Sequence, residues 1–248
     1  MAPQSTTKAE LKVAKDTVSF VRAAVDEIVR CAKEALSARG RFTFALSGGN
    51  TPAPIYSLLA QENKDSLPWD KIFIFFGDER HVPPDHPESN YRMANEALLS
   101  QVPLPNENIF RIRAELDAGE AAQQYERTLT DFFQLKSNER PRLDLIHLGM
   151  GEEGHTASLF PGSPALQEKS RLVAANWVEK LKSQRITFTY PVLNNAREVV
   201  LIVAGASKAP VLRDIFCGSA DEKYPVQGVQ PAEGRLLWIV APDAGSML

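Results

Sequence analysis

Cysteine is scarce in this 248-residue chain, which has only Cys31 and Cys217. Neither has a neighbour at metal-ligand spacing, and two thiols make no disulfide framework. Zinc-ribbon modules and small disulfide-stapled domains are therefore excluded, and both cysteines read as reduced thiols of an intracellular protein. Long apolar runs are missing as well. None reaches the roughly 18 residues of a membrane span, and the opening MAPQSTTKAELKVAKD lacks the apolar stretch of a secretory leader. No sign of charge dominates: 28 Lys and Arg stand against 31 Asp and Glu, a net of −3. Without a basic block, nucleic-acid binding has no electrostatic footing. Neither a Walker loop nor a dinucleotide fingerprint occurs, so no nucleotide is implied. There is no internal repeat and no low-complexity linker. The expected location is the cytoplasm. The final Ser246-Met247-Leu248 only loosely matches a peroxisomal Ser-Lys-Leu address, because methionine replaces its basic middle residue.

What the chain does have is core material, 44% hydrophobic residues, read as a single domain over 1–248. Apolar residues at helical spacing (Val18, Val21, Val25, Ile28, Val29, Ala32, Leu36) predict a helix over 9–38, closed by Gly40. Short buried strands are expected at 41–46, 72–76, 143–148, 198–204 and 236–240, with an alternating strand at 185–190 and a weak one at 108–112. Helices are expected at 52–61, 90–99, 118–135 and 207–216. The segment 77–87 reads as a polar loop and 221–230 as a surface loop. Strands alternating with helices predict an α/β fold, a Rossmann-like, parallel-dominated sheet with helices on both faces. In such sheets ligands gather beyond the carboxyl ends of the strands.

Three strand ends hold candidate chemistry. Ser47-Gly48-Gly49-Asn50-Thr51 joins a strand to a helix opened by Pro52. Its glycines admit close backbone approach, and free amides with two hydroxyls make a phosphate cradle. An ordinary βα turn would use the same residues. Gly77-Asp78-Glu79-Arg80-His81 places ionisable side chains at a second strand end, where a solvated turn of paired charges is the plainer reading. His81 and His86 lack a third ligand at a recognised spacing, so no metal is expected. The stretch from Gly149 to His155 sets one histidine among glycines with Glu152 and Glu153 beside it. A neutral imidazole oriented by a carboxylate draws a proton from water near neutral pH. Arg185 opens a strand and Lys208 a helix; alone each reads as a surface charge, together they can neutralise a phosphate at the Ser47 turn.

The segments LSGGNTP, FFGDERHVPPDHPESNYRMA, LIHLGMGEEGHTASLFPGS, RITFTYPVLNNA and GASKAPVL, in this order from about Phe42 to Leu212, resemble the 6-phosphogluconolactonases of the glucosamine-6-phosphate isomerase/deaminase superfamily. The resemblance implies a Rossmann-like fold, no cofactor and a phosphate loop of Ser47, Gly48, Gly49 and Thr51. It implies that Arg185 and Lys208 meet the same phosphate, that Arg80 is an active-site arginine, and that His155 is the general base. Asp78 falls where the related deaminases have a proton-transferring aspartate. The usual pattern Gly-x-Asp-Gly-His is altered here, since Glu153 replaces the aspartate. The substrate implied is 6-phospho-D-glucono-1,5-lactone, hydrolysed to 6-phosphogluconate in the oxidative pentose phosphate pathway. The expected partners are this lactone alone, with no nucleic acid and no membrane, in a monomer or weak homo-oligomer.

Two rival readings have discriminating features. An amino-sugar phosphate deaminase or isomerase would follow Gly-His with Ile-Ala-Phe-Asn-Glu, whereas this chain has Thr156-Ala157-Ser158-Leu159-Phe160 and no acid. A sugar-phosphate-sensing regulator would need a DNA-binding module, for which no chain remains.

Overall fold

The computed structural model describes residues 9–218 and 223–248. The described residues open not in a helix but in a strand, β1 (Glu10–Val13), which pairs in parallel with β9 (Arg235–Val240) at one sheet edge. Glu-Leu-Lys-Val alternates with period two, and Arg235 binds the Glu10 carboxylate at 2.8 Å. The expected helix starts later, as α1 (Thr17–Arg39), where the Asp16 side chain accepts from the Ser19 amide. Gly40 closes it at φ 70°.

Then follow β2 (Phe42–Leu46), α2 (Pro52–Asn63) and β3 (Ile72–Phe76). Gly77 alone separates β3 from β4 (Asp78–Arg80), so the segment read as a loop begins as a short strand. It leaves the main sheet to pair antiparallel with β7 (Ser183–Phe188), which pairs antiparallel with β6 (Val173–Val178). The sequence pattern does not mark β6, because Val-Ala-Ala-Asn-Trp-Val has neither a continuous apolar run nor a regular alternation. The helix expected at 90–99 is split into α3 (Asn90–Ala94) and a wider π turn at Asn95–Leu99. The weak strand at 108–112 amounts to one bridge, Ile109 to Ile74. After α4 (Ala118–Phe133) and β5 (Leu145–Leu148), the remaining elements are α5 (Tyr190–Leu193), β8 (Glu198–Val203) and α6 (Ala209–Cys217). Residues 221 and 222 of the expected surface loop lie outside the described residues. Its later part is no surface loop: Pro225 and Val226 are buried in a 3₁₀ turn.

The main sheet has the order β1-β9-β8-β5-β2-β3, every pair parallel. The chain goes outward from β2 to β3, then returns past β2 to β5, β8 and β9. Strand order thus reverses between β2 and β5, and the loops leaving their carboxyl ends diverge to open a crevice. Helices flank this sheet, and the β4-β7-β6 sheet stands beside the crevice. No helix among the described residues is long and apolar enough to cross a membrane.

Two buried tyrosines stop the strands where the crevice begins. The Tyr56 hydroxyl of α2 accepts from the Ser47 amide at 3.0 Å and donates to its carbonyl. The Tyr125 hydroxyl of α4 does the same at Phe76, the last residue of β3. Each satisfies backbone groups that the ladder can no longer pair, so the chain can peel away without leaving them unpaired. The core also holds His147 of β5, fully buried against Phe44 and Tyr56, with no hydrogen-bond partner for either ring nitrogen. Burial pushes its pKa down to about 3, so it is a neutral, aromatic core residue.

Candidate active site

A cleft of about 290 Å³ occupies the crevice. Its walls are the whole turn Ser47 to Pro52 after β2, Asp78 and Arg80 of β4, Asn90, the glycine turn and His155 after β5, and Lys208 beyond β8. Four strand ends therefore converge on one site.

The turn after β2 meets the requirements of an anion cradle. No side chain caps α2, so the amides at its start have no local acceptor. Gly49 sits at φ 89°. Gly48 is needed for a different reason: a Cβ there would lie 1.7 Å from the Asn90 Oδ1 atom. Asn90 is buried, donates to the Asp78 carbonyl at 2.9 Å, and so ties β4 to the cradle. Lys208 reaches the same cleft with its ammonium 3.4 Å from Glu152 and 2.9 Å from the Ser207 hydroxyl. Ser207, then Lys208, hold the Glu152 pKa below its ordinary value.

His155 lies at the other wall. Its ring stacks on Phe160 with centroids 3.9 Å apart, and its Nδ1 is 3.1 Å from Glu153 Oε2, off the line of a straight hydrogen bond. This approach favours the tautomer with hydrogen on Nδ1, leaving the Nε2 lone pair as the basic one. Burial pulls the imidazole pKa down, and the opposing pull of Glu153 does not restore it. Partial burial would raise the pKa of Glu153, but Lys180, the backbone and His155 together hold it at about 2. The carboxylate beside His155 is therefore Glu153, while Glu152 faces Lys208. Gly151 makes space for the ring, since a Cβ there would sit 2.1 Å from His155, while Gly154 makes room for Tyr224. Ala157, on the cleft wall, has φ 46°, a left-handed geometry that a side chain disfavours.

Asp78 is buried, accepting from Ser158 Oγ at 2.7 Å and from Asn90 at 3.3 Å. Arg80 lines the cleft and donates to the Glu88 carbonyl at 2.6 Å. The adjacent Glu79 turns away from the cleft, accepting from the amides of Arg80, Asn90 and Tyr91 and from the Ser89 hydroxyl. It is a structural anchor for α3, and burial raises its pKa. His81 lies 2.8 Å from the Leu116 carbonyl and His86 accepts from the Glu88 amide, so neither joins a ligand set. Arg185 does not line the cleft with the Ser47 turn. It lies opposite Arg80 in the β4–β7 ladder, and burial, then Arg80, lowers its pKa.

Sequence reading brought together Ser47–Thr51, Asp78, Arg80, Glu153, His155 and Lys208. It missed Asn90, which reads only as a helix start after the Ser89 cap, and Lys180, which stands in no motif. Comparison with known proteins shows what the chain as a whole is similar to. The family model for glucosamine-6-phosphate isomerases/6-phosphogluconolactonase matches residues 15–238. A 6-phosphogluconolactonase of Nostoc sp. is 45% identical over 97% of this chain and 99% of its own length. One of Synechocystis sp. is 48% identical over 87% of this chain and 88% of its own. The solved structure of 6-phosphogluconolactonase from Trypanosoma brucei superposes with a TM-score of 0.88 at 28% identity, covering 98% of this chain and 99% of that one.

Proposed function

The chain belongs to the glucosamine-6-phosphate isomerase/6-phosphogluconolactonase family, and from that premise we propose that it hydrolyses 6-phospho-D-glucono-1,5-lactone to 6-phosphogluconate with His155 as general base. That reaction belongs to the oxidative pentose phosphate pathway, and the cytoplasm is the location that goes with it. The observation behind the reading is the pairing of a cradle for phosphate with a neutral, carboxylate-oriented imidazole across one cleft.

The lactone carbonyl is already electrophilic, so the protein needs only to hold it, activate water and stabilise charge. The Ser47–Thr51 amides and Lys208 bind the 6-phosphate and fix where C1 lies. His155 Nε2 takes a proton from water as its oxygen attacks C1. The carbonyl electrons move onto oxygen, where Arg80 or backbone amides stabilise the oxyanion. Collapse breaks the bond from C1 to the ring oxygen, and the imidazolium returns its proton to that oxygen. The acid product then ionises, so each turnover releases one proton to solvent. Asp78, fixed by Ser158 and Asn90, keeps a negative charge on the wall near His155 that favours the transient imidazolium.

A pH-stat assay tests the assignment. The expected outcome is lactone-dependent proton release far above the spontaneous rate, and no ammonia from glucosamine 6-phosphate. Ammonia release without lactone turnover would replace the assignment with a deaminase.

A further inference from the structure

Glu153 has two partners, one on each oxygen. His155 Nδ1 is 3.1 Å from Oε2, and the Lys180 ammonium is 2.8 Å from Oε1. Lys180 belongs to the 3₁₀ turn Glu179–Leu181 that closes the hairpin between β6 and β7, where Val178 pairs with Ser183. It is thus carried by the antiparallel sheet, not by the glycine turn that holds His155. Lys180 stands outside the substrate cleft. It lines a neighbouring cleft of about 340 Å³ with Trp177 and Phe160, the ring on which His155 stacks.

We propose that Lys180 is a positioning residue that clamps Glu153, turning one carboxylate oxygen to His155 while its ammonium engages the other. The proposal rests on the reading of His155 as the base. Two physical effects follow. The glutamate arm has three rotatable bonds, and a second anchor removes rotamers that leave Nδ1 without its partner. A carboxylate already paired with an ammonium also stabilises an imidazolium less, so the ring stays neutral and basic to lower pH. The charged groups facing His155 are Glu153 from its own turn, Asp78 from β4 and Lys180 from the hairpin. Arg80 and Lys208 share the cleft wall, and Glu152 is engaged by Lys208. Lys180 acts in the same direction as burial on the ring, and Glu153 and Asp78 act against both. The Lys180 side chain is 65% exposed, so solvent screens its charge and the effect is modest.

The test compares kcat/KM for the lactone against pH in the wild type, Lys180→Met, Lys180→Arg and His155→Ala. In Lys180→Met the acid limb should move up by about 0.3–1 pH unit, and kcat should fall severalfold at neutral pH. KM and 6-phosphogluconate affinity should stay unchanged, because Lys180 does not touch the cleft, and so should Tm. Lys180→Arg should restore the profile. In a Glu153→Gln background Lys180→Met should have a much smaller effect, because the clamp is already lost and only the screened charge of Lys180 on the ring remains. A Lys180→Met profile that superimposes on the wild type, with His155→Ala inactive, overturns the clamp and leaves the base assignment intact. A His155→Ala variant near wild-type rate overturns both.

Discussion

Lys208 and Arg185 look equivalent as lone cations at element starts, yet the fold separates them. Lys208 lines the cleft, and Arg185 stands opposite Arg80 on β7 without lining it. Lys208→Ala should therefore weaken 6-phosphogluconate binding by roughly 1.5–3 kcal/mol, the loss of a charge-assisted bond to phosphate, and Arg185→Ala should weaken it less. Calorimetric titration of both variants checks this; equal losses would put Arg185 in the phosphate site as well. The individual residues most legible in the sequence were those whose chemistry is unusual for a loop, such as His155 among glycines and Arg80 after a strand. Lys180 and Asn90 were not legible. One lysine in a charged turn looks like any solvated lysine, and its role depends on a partner 27 positions away. Asn90 resembles an ordinary helix start, and only the close approach of Gly48 reveals its position in the cleft wall.

At the scale of elements, β2, β3, β5, β8 and β9 of the main sheet were legible because burial makes near-continuous apolar runs, such as Phe42–Leu46 and Ile72–Phe76, whereas the exposed edge strand β1 was read as helix. The antiparallel β4-β7-β6 sheet was harder to see. Asp78–Arg80 is three charged residues long, and β6 mixes Asn176 with exposed Trp177. Nor does any local pattern announce that β1 pairs with a strand more than 220 residues later. His147 shows how an element can impose pH dependence away from the site. In the unfolded chain it takes up a proton near 6.5, and in the core only near about 3. Between those values the unfolded state binds more protons, so stability is lost as pH falls below 6.5. His147→Phe removes that titration while retaining an aromatic ring against Phe44 and Tyr56. Between about pH 7 and pH 4.5 the variant should lose roughly 2 kcal/mol less stability than the wild type, several degrees in Tm. Thermal melts across that range check it, and parallel curves would mean that His147 is not the titrating group.

The whole molecule converts one topological fact into a site. Order reverses between β2 and β5, so the cradle after β2 and the histidine turn after β5 face each other across the crevice, and β4 and Lys208 complete its walls. On the proposed reading, the phosphate contacts and the reacting carbonyl then fall at opposite ends of one small molecule. Elsewhere, among the described residues, Glu27, Cys31 and Glu198 lie within 4.8 Å of one another. Their carboxylates are already engaged by Arg30 and Arg235, which makes the cluster an ion-pair network tying α1 to β8 and β9 and a poor receptor for a metal. The central claim is that His155 turns this cleft from a sugar-phosphate receptor into a hydrolase. The measurement that tests it most directly is steady-state hydrolysis of 6-phospho-D-glucono-1,5-lactone by the wild type and His155→Ala, corrected for spontaneous opening, with 6-phosphogluconate affinity measured on the same samples. The account predicts a fall in kcat of about 10²–10⁴-fold with product affinity retained; a variant that binds product and turns over lactone at the wild-type rate would contradict it.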